Sequence, residues 1–451
     1  MGLLAIILFL IIFVLILKGY PVAITLGGVS TVFALGVIVF YPDVMRLQDF
    51  YLLPTRFMGT INNTMLMAVP LFIFMGIMLE KSGLAETLLE TMAGLFGSLK
   101  GGLAIAVILV GALLAASTGI VGATVVTMGS ISLPVMLKRG YHPALASGVI
   151  ASSGTLGQII PPSVVLILLA DQIGVNSTGV SQVDVGTLFR AAVLPGFILV
   201  ILYICYVLFI SQLKPHLAPA IPKADIQISR GKGFGLKLFK AFILPLALIL
   251  AVLGSILAGI ASPTEAAAVG GIGAIILTVM SGQFSLDVLK SVMQQTMRLT
   301  SMVFLILLGA TTFTLVFRTL GGDDYLVELI QSSQLSAMGF LALVMIAMFI
   351  AGFFIDFIEI IFIIVPVITP ILASYDPAAF SAYFATSTHL LIWVGILLAL
   401  NLQTSFLSPP FGFSLFYLKG VAPPEITTRH LYRGIIPFVL IQLVFLLLVI
   451  M

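Results

Sequence analysis

The sequence predicts an all-α polytopic membrane protein made of two inverted-topology repeats, each with a re-entrant helical hairpin and a helix interrupted at a double proline. Apolar residues make up 61% of the 451 positions and charged residues only 8%, whereas about a quarter of a soluble domain is charged. The apolar segments run about 17–25 residues, the length that crosses roughly 30 Å of hydrocarbon as a helix. The charges of alternate loops predict the inverted topology and the hairpins. The double prolines Pro161-Pro162 and Pro409-Pro410 predict the two interrupted helices.

The first apolar segment, Leu3 to Leu17, has neither a basic stretch before it nor an Ala-x-Ala exit after it. It is therefore expected to be a retained membrane helix and not a cleaved signal. The single cysteine, Cys205, lies in an apolar segment. One cysteine excludes an internal disulfide and a cysteine-based metal site.

Basic residues are distributed unevenly between the two sets of alternate loops. Sixteen of the 20 lysines and arginines fall on one set, and the other set carries nine acids with only four bases. The positive-inside rule places the basic set in the cytoplasm and predicts that both termini are periplasmic. Because the bases are spread over many loops, nucleic-acid binding is not expected.

The same charges predict two hairpins. The stretch 101–137 is flanked by Lys100 and by Lys138-Arg139, so both of its ends are expected in the cytoplasm, while 335–374 is flanked by Asp323, Asp324 and Glu328 and by Asp376, and both ends are expected outside. Each stretch has the length of two half-helices, which favours a re-entrant hairpin. Two short complete helices would also return the chain to its starting side.

The repeats are predicted to span residues 1–212 and 241–451, joined by a cytoplasmic linker with a surface helix at 213–240. Each repeat would contain two opening helices, a third helix with an amphipathic segment, a hairpin, a broken helix at about 143–170 or 380–418, and a closing helix. Pro21 with Gly27-Gly28 is echoed by Pro263 with Gly270-Gly271, as duplication predicts.

The double prolines point to a binding site. Proline lacks a backbone donor and disfavours helix before it, so each break frees carbonyl groups at membrane depth. Irregular backbone at that depth is tolerated where it lines a protein-enclosed site. Two such breaks in corresponding places of two halves are typical of secondary transporters.

Small hydroxylated residues surround the first hairpin tip and both breaks. A hard cation such as Na⁺ needs several oxygens, and hydroxyl and free carbonyl groups supply them without burying a formal charge. Close helix packing at small residues is the alternative explanation. The predicted sodium-binding residues are Ser117, Thr118, Gly119, Gly154, Thr155, Thr404 and Ser405.

Asp356 and Glu359 are acids within a strongly apolar stretch of the second hairpin. Their i,i+3 spacing places them on one helical face, and acids at membrane depth usually mark ion or substrate paths. With Ser153 and Ser408 they are the predicted substrate-binding residues. A structural helix cap is the alternative role for one acid.

An integral-membrane enzyme or a pump subunit is a second class of function, and a passive channel is a third. The first two usually need histidine, lysine or metal-ligand clusters within the bilayer. The four histidines, His142, His216, His389 and His430, mostly fall in loops without ligand spacing. A transporter that is not an enzyme and needs no organic cofactor is therefore favoured.

The hydroxyl-rich first hairpin, the runs from Pro134 to Tyr141 and from Gly154 to Ser163, and the second break at Pro409-Pro410 resemble the large membrane subunit of tripartite ATP-independent periplasmic (TRAP) transporters. The resemblance implies an elevator-type transporter in the bacterial inner membrane that takes up a small organic acid with Na⁺. It also implies two partners, a small four-helix membrane subunit and a periplasmic substrate-binding protein. A stand-alone Na⁺-coupled carboxylate symporter of related architecture is the alternative.

The second hairpin departs from the Asp-Met-Thr-Pro tip that is commoner in this family. It reads Asp356-Phe357-Ile358-Glu359, and Phe411-Gly412-Phe413 follows the second prolines. This pattern resembles a subgroup associated with less usual substrates, including aromatic or hydroxylated acids.

Overall fold

The computed structural model describes residues 2–177, 183–222, 234–332, 335–381, 383–410 and 412–451, and all regular structure in these ranges is helical. The helices of the first half are α1 Gly2–Leu17, α2 Val22–Phe40, α3 Leu52–Ile61, α4 Ala68–Lys81, α5 Leu84–Phe96, α6 Gly102–Thr118, α7 Val121–Lys138, α8 Pro143–Thr155, α9 Val164–Asn176 and α10 Val185–Leu213. Those of the second half are α11 Phe234–Leu257, α12 Pro263–Met280, α13 Leu286–Thr319, α14 Gly322–Ser332, α15 Ala337–Ala351, α16 Phe357–Ser374, α17 Ser387–Leu407, α18 Phe413–Val421 and α19 Thr428–Ile450.

The order of elements repeats between the halves. Two opening helices come first, and α3 with α4 corresponds to the single long helix α13. A short helix follows, either α5 or α14, and then a helical hairpin, a helix broken at the double proline, and a closing helix. The predicted fold class, an all-α protein with two repeats that each hold a hairpin and a broken helix, is confirmed.

Nine of the described helices are long and apolar enough to cross a bilayer. The pair α4 and α5, bent by 63° at Ser82-Gly83, makes a tenth if it counts as one span. Many outer side chains of these helices are exposed and apolar, such as Val32, Phe197 and Leu447, as lipid-facing positions require. The chain is therefore polytopic.

The first hairpin joins the 17 residues of α6 to the 18 residues of α7 through Gly119 and Ile120. The second joins the 15 residues of α15 to the 18 residues of α16 through a turn that ends at Asp356. At a rise of about 1.5 Å per residue the arms are roughly 22–27 Å long. Their entry and exit on one side of the bilayer stay a prediction, tested below by labelling.

The chain forms two compact units, and it passes between them five times: just before α4, within α9, just before α10, within α13 and within α17. The first unit comprises Met1–Met67, Leu168–Asp184 and Arg298–Gly395, and therefore holds the second hairpin. In it α1 packs against α14, and α2 lies so close to α13 that a Cβ on Gly309 would be 2.5 Å from the Ala23 carbonyl oxygen.

The second unit comprises Ala68–Ile167, Val185–Met297 and Ile396–Met451, and it holds the first hairpin and both double prolines. Here α4 packs along α12, and α8 lies between the hairpin arms and α19. The backbones of α8 and α19 touch: a Cβ on Gly148 would be 2.1 Å from the Gly434 carbonyl oxygen, and one on Gly434 would be 2.0 Å from that of Ala144.

The segment predicted as a linker, 213–240, contains a short 3₁₀ turn at Pro215–Leu217, and residues 223–233 of it lie outside the described part. α11 starts at Phe234 and runs through a π turn at Phe239–Ile243 into the apolar helix that ends at Leu257. Its first residues are thus continuous with a candidate membrane span.

Candidate functional site

The tip of the first hairpin rests on the start of α9. α6 ends at Gly119, whose φ of 61° lies in the left-handed region, where glycine is favoured. A Cβ at Gly119 would also be 3.0 Å from the backbone nitrogen of Val164. Glycine is therefore required both by the turn and by the contact with the residue after the first break.

The 3₁₀ turn at Leu156–Gln158 begins the first break, and it packs against α6. A Cβ on Gly157 would be 2.4 Å from the carbonyl oxygen of Ala115, and one on Gly154 would be 2.3 Å from a methyl group of Val125 in α7. Both arms of the hairpin thus contact the end of α8 and the break. The structure brings together the hairpin tip and the first of the two hydroxyl-bearing breaks, as the sodium prediction requires.

The predicted hydroxyl groups of this region are buried and already have a partner for their hydrogen. Ser117 donates to the carbonyl of Leu114 at 2.7 Å, Ser153 to that of Ile150 at 3.0 Å, and Thr155 to that of Ser152 at 2.9 Å. A hydroxyl that donates one hydrogen bond keeps its lone pairs for a second partner. These oxygens are therefore available to a cation. The side chain of Thr118 lies outside the described part of the chain.

The second break has the same local chemistry. Thr404 donates to the carbonyl of Leu400 at 2.7 Å, Ser405 to that of Leu402 at 2.8 Å, and Ser408 to that of Thr404 at 2.8 Å, and all three side chains are buried. After the prolines, Gly412 has φ 46° and α18 begins. These hydroxyls also act only as donors in these hydrogen bonds, so their lone pairs remain for a second partner.

α18 links the second break to the first hairpin and to α8 within the second unit. Ser414 in α18 donates to the carbonyl of Ala151 in α8 at 3.1 Å. Gly122 in α7 faces the ring of Tyr417, and a Cβ there would be 2.9 Å from it. The hydroxyl groups of both breaks and of the first hairpin tip are therefore held in one compact unit.

Asp356 and Glu359 lie in the first unit, at the start of α16. Asp356 Oδ1 accepts a hydrogen bond from the backbone N–H of Phe357 at 2.6 Å, and Glu359 Oε2 accepts from the N–H of Asp356 at 3.4 Å. The pair forms the reciprocal capping box known from helix starts. The alternative structural role is thus present in the geometry. Both carboxylates are half-buried, so each side chain is also partly exposed at the start of α16.

Several buried polar groups were not expected from the sequence. Asp171, in the apolar helix α9, is 4% exposed and accepts hydrogen bonds from Asn63 and Gln172. Gln442 in α19 donates to the hydroxyl of Tyr203 in α10. Polar residues within apolar runs are the signal that could have drawn attention to them.

The amide of Gln158, beside the first break, is fully buried without a hydrogen-bond partner in the described structure. Buried amides without partners are rare in native proteins and mark sites that bind water or a ligand. Among the described residues, no three His, Cys, Asp or Glu side chains are grouped closely enough to hold a metal ion.

Two broken helices and two hairpins, with buried and uncharged oxygens that can coordinate a cation, are the features of an α-helical membrane transporter. Solved structures agree on the fold. The YdaH transporter of Alcanivorax borkumensis matches with a TM-score of 0.58 over 89% of this chain and 87% of that chain at 17% identity. MtrF of Neisseria gonorrhoeae matches with a TM-score of 0.57 over 89% and 83% at 12% identity.

The family model described as "Tripartite ATP-independent periplasmic transporter, DctM component" matches residues 9–451. The C4-dicarboxylate TRAP transporter large permease protein DctM of Pseudomonas aeruginosa is 30% identical over 92% of this chain and 90% of its own length. The ectoine/5-hydroxyectoine TRAP transporter large permease protein UehC of Ruegeria pomeroyi is 28% identical over 96% and 94%. This chain belongs to the family of TRAP transporter large membrane subunits.

Membership confirms the resemblance seen in the sequence. Family membership and the apolar helices together show that the chain is a multi-pass inner-membrane protein. The family carries out secondary transport together with a periplasmic binding protein and a small membrane subunit. The relatives are named as permeases and not as enzymes.

Proposed function

We propose that this subunit couples the uptake of a small organic acid to Na⁺ entry and moves its substrate by an elevator mechanism. The observation that carries the proposal is the pair of double-proline breaks whose buried hydroxyl groups are occupied only as donors. Uncharged oxygens of this kind suit a monovalent hard cation, because several can surround it without mutual repulsion. Na⁺ is the coupling ion, and the partners are a small four-helix subunit and a binding protein that delivers substrate.

Ser117, Thr118, Gly119, Gly154 and Thr155 would form one ion site and Thr404 with Ser405 a second. The proposed substrate contacts are Ser153 and Ser408 in the second unit and Asp356 and Glu359 in the first. The acids cannot attract a substrate carboxylate, so they would accept hydrogen bonds from its hydroxyl or ammonium groups. Bound Na⁺ and the N-terminus of α16 would balance its negative charge.

The substrate class is a small acid with hydrogen-bond donors. Relatives are named for C4-dicarboxylates, ectoine and sialic acid, which share a carboxylate but differ in size and in their other polar groups. The two acids of this second hairpin favour the members of that range that carry hydroxyl or ammonium groups. Which acid is taken up will be settled by the ligand that stabilises the cognate binding protein.

The ion dependence is tested by uptake in reconstituted vesicles that contain both membrane subunits and the loaded binding protein. We expect uptake under an inward Na⁺ gradient and none under an equal K⁺ gradient. Thr404→Val should raise the half-saturating Na⁺ concentration by roughly tenfold, because a lost buried hydrogen-bonding group costs about 1–3 kcal/mol.

Thr278→Val is the matched control. Thr278 is a buried threonine of α12 that donates to the Ala274 carbonyl at 2.8 Å and belongs to neither break. It should leave the Na⁺ dependence unchanged. Equal uptake with Na⁺ and K⁺ would refute ion coupling, and an unchanged Na⁺ dependence in Thr404→Val would remove the second break from the ion site.

The orientation of the hairpins is tested with single cysteines in a Cys205→Ser background. An impermeant maleimide added to intact spheroplasts should label Asp376→Cys, at the exposed turn after α16, and should not label Lys138→Cys at the exposed end of α7. Inside-out vesicles should give the reverse. Labelling of Asp376→Cys only from the cytoplasmic side would overturn the two-hairpin topology and the periplasmic termini.

A further inference from the structure

A polar cavity of about 380 Å³ lies within the first unit, between α3, the end of α9 and α13. None of the residues predicted to bind sodium or substrate lines it. Its volume is in the range of small-molecule sites. Its wall includes two arginines, an acid and several amide and hydroxyl groups: Arg56, Thr60, Asn63, Asp171, Gln172, Asn176, Thr311, Thr314 and Arg318.

The two arginines of the cavity differ in their partners. Arg318 donates through Nη2 to the amide oxygen of Asn176 at 2.9 Å, and its Nε is 2.9 Å from a carboxylate oxygen of Asp323. Arg56 is half-buried, and within the described structure its guanidinium has no acid or hydrogen-bond acceptor. A guanidinium carries five N–H donors. Arg56 is therefore the charge in this wall that is available to a ligand.

The neighbouring charges favour an anion at Arg56. Burial and the charge of Arg318 lower the pKa of the Arg56 guanidinium, which still stays protonated at neutral pH. No hydrogen bond or ion pair joins Asp171 to Arg56 in the described structure, where the Asp171 oxygens accept from the amides of Asn63 at 2.6 Å and Gln172 at 2.9 Å. An anion at Arg56 would relieve the repulsion between the arginines and gain a charge-assisted pair of hydrogen bonds.

The hydroxyl groups of the wall add specificity. Thr60 donates to the carbonyl of Arg56 at 3.1 Å and Thr311 to that of Leu307 at 2.8 Å. Since both hydrogens are occupied, these oxygens can only accept from a ligand. A ligand with a carboxylate for Arg56 and a hydroxyl or ammonium group for the threonines matches this wall.

We propose that this cavity is a second binding site for a small hydroxylated or aminated carboxylate, centred on Arg56 and separate from the site at the helix breaks. Arg56 and Arg318 are two of the four bases that the charge pattern places on the external side. The predicted topology therefore opens the site to the periplasm, where substrate arrives. The choice of ligand class rests on the proposed function, whereas the site itself rests on the cavity.

The site is tested by arginine modification in the purified complex of both membrane subunits, kept in potassium buffer so that Na⁺-dependent binding is absent. Phenylglyoxal modification of the Arg56 peptide is followed by mass spectrometry. Saturating malate should slow it by roughly tenfold relative to chloride at equal ionic strength, because a bound carboxylate occupies the guanidinium donors. Succinate, which lacks the hydroxyl of malate, should protect only at higher concentration.

Arg46, an exposed arginine of the same unit, is the internal control and should react equally in all buffers. In equilibrium binding of radiolabelled malate, Arg56→Gln should raise the Kd by roughly tenfold, and Arg56→Lys should retain part of the affinity. Folding should survive both changes, because no acid loses a partner.

Equal modification of Arg56 in malate and chloride, or an Arg56 that does not react because another chain covers it, would overturn the proposal. If malate fails to protect Arg56 while Na⁺-driven uptake is intact, the second binding site is refuted and the proposed transport function stands. If malate protects Arg56 but uptake does not depend on Na⁺, ion coupling is refuted and the second binding site stands.

Discussion

Gly157→Ala should weaken Na⁺ binding by roughly tenfold or more while the protein still inserts and assembles. The new methyl group would lie 2.4 Å from the carbonyl oxygen of Ala115, and backbone on both sides of the contact leaves little room for adjustment. Overpacking of this kind costs about 1–3 kcal/mol. We expect the hairpin to move away from the break, with a rise of roughly tenfold or more in half-saturating Na⁺, measured from Na⁺-dependent thermal stabilisation of the purified complex.

Gly254→Ala is the control, because Gly254 lies in helix α11 of the same unit and a Cβ there meets nothing within 4 Å. It should leave the Na⁺ response unchanged. A Gly157→Ala protein with the Na⁺ midpoint of the wild type would mean that the contact between α6 and the first break does not shape the ion site.

Asp356→Asn should reduce uptake by roughly tenfold to hundredfold at normal membrane abundance. Asparagine is also a good helix cap, so it keeps the hydrogen bond to the Phe357 N–H and removes only the charge. A hydrogen bond to a charged group is worth about 1.5–3 kcal/mol. The loss would therefore report the contact of the carboxylate with substrate and not its role in the capping box. Initial uptake rates in vesicles measure it.

Asp376→Asn is the matched control, since Asp376 also caps a helical turn, through the N–H of Ala378 at 3.0 Å, but is exposed. Uptake should be unaffected. Glu359→Gln should be milder than Asp356→Asn. Near-normal uptake by Asp356→Asn would make Asp356 a structural cap.

Local signals in the sequence were strong enough to predict the order of elements. Lys100 with Lys138-Arg139 marked the first hairpin, and the arms observed there, Gly102–Thr118 and Val121–Lys138, follow those charges closely. Each double proline follows the end of a helix, at Thr155 and at Leu407, as residues that cannot continue a helix predict. The hydroxyl residues beside the breaks were also predictable, because serine and threonine contrast with their apolar neighbours.

The polar cavity could not be predicted in the same way. Arg56 lies in an amphipathic segment, which is normal for a charged residue, and Arg318 follows an apolar run as many helix ends do. Only the fold shows that these two line one cavity with Asp171. The cap at Asp356 was foreseen as an alternative, but its pairing with Glu359 depends on backbone geometry that spacing alone does not supply.

The contact between α8 and α19 has a mechanical consequence. At Gly148 and Gly434 two main chains meet without side chains between them, and a gap of about 0.5–1 Å would already forfeit a quarter to a half of such contact energy. Lipid does not drive these helices together, so their cohesion comes from this fit. A displacement of α8 that kept this contact would carry α19 with it.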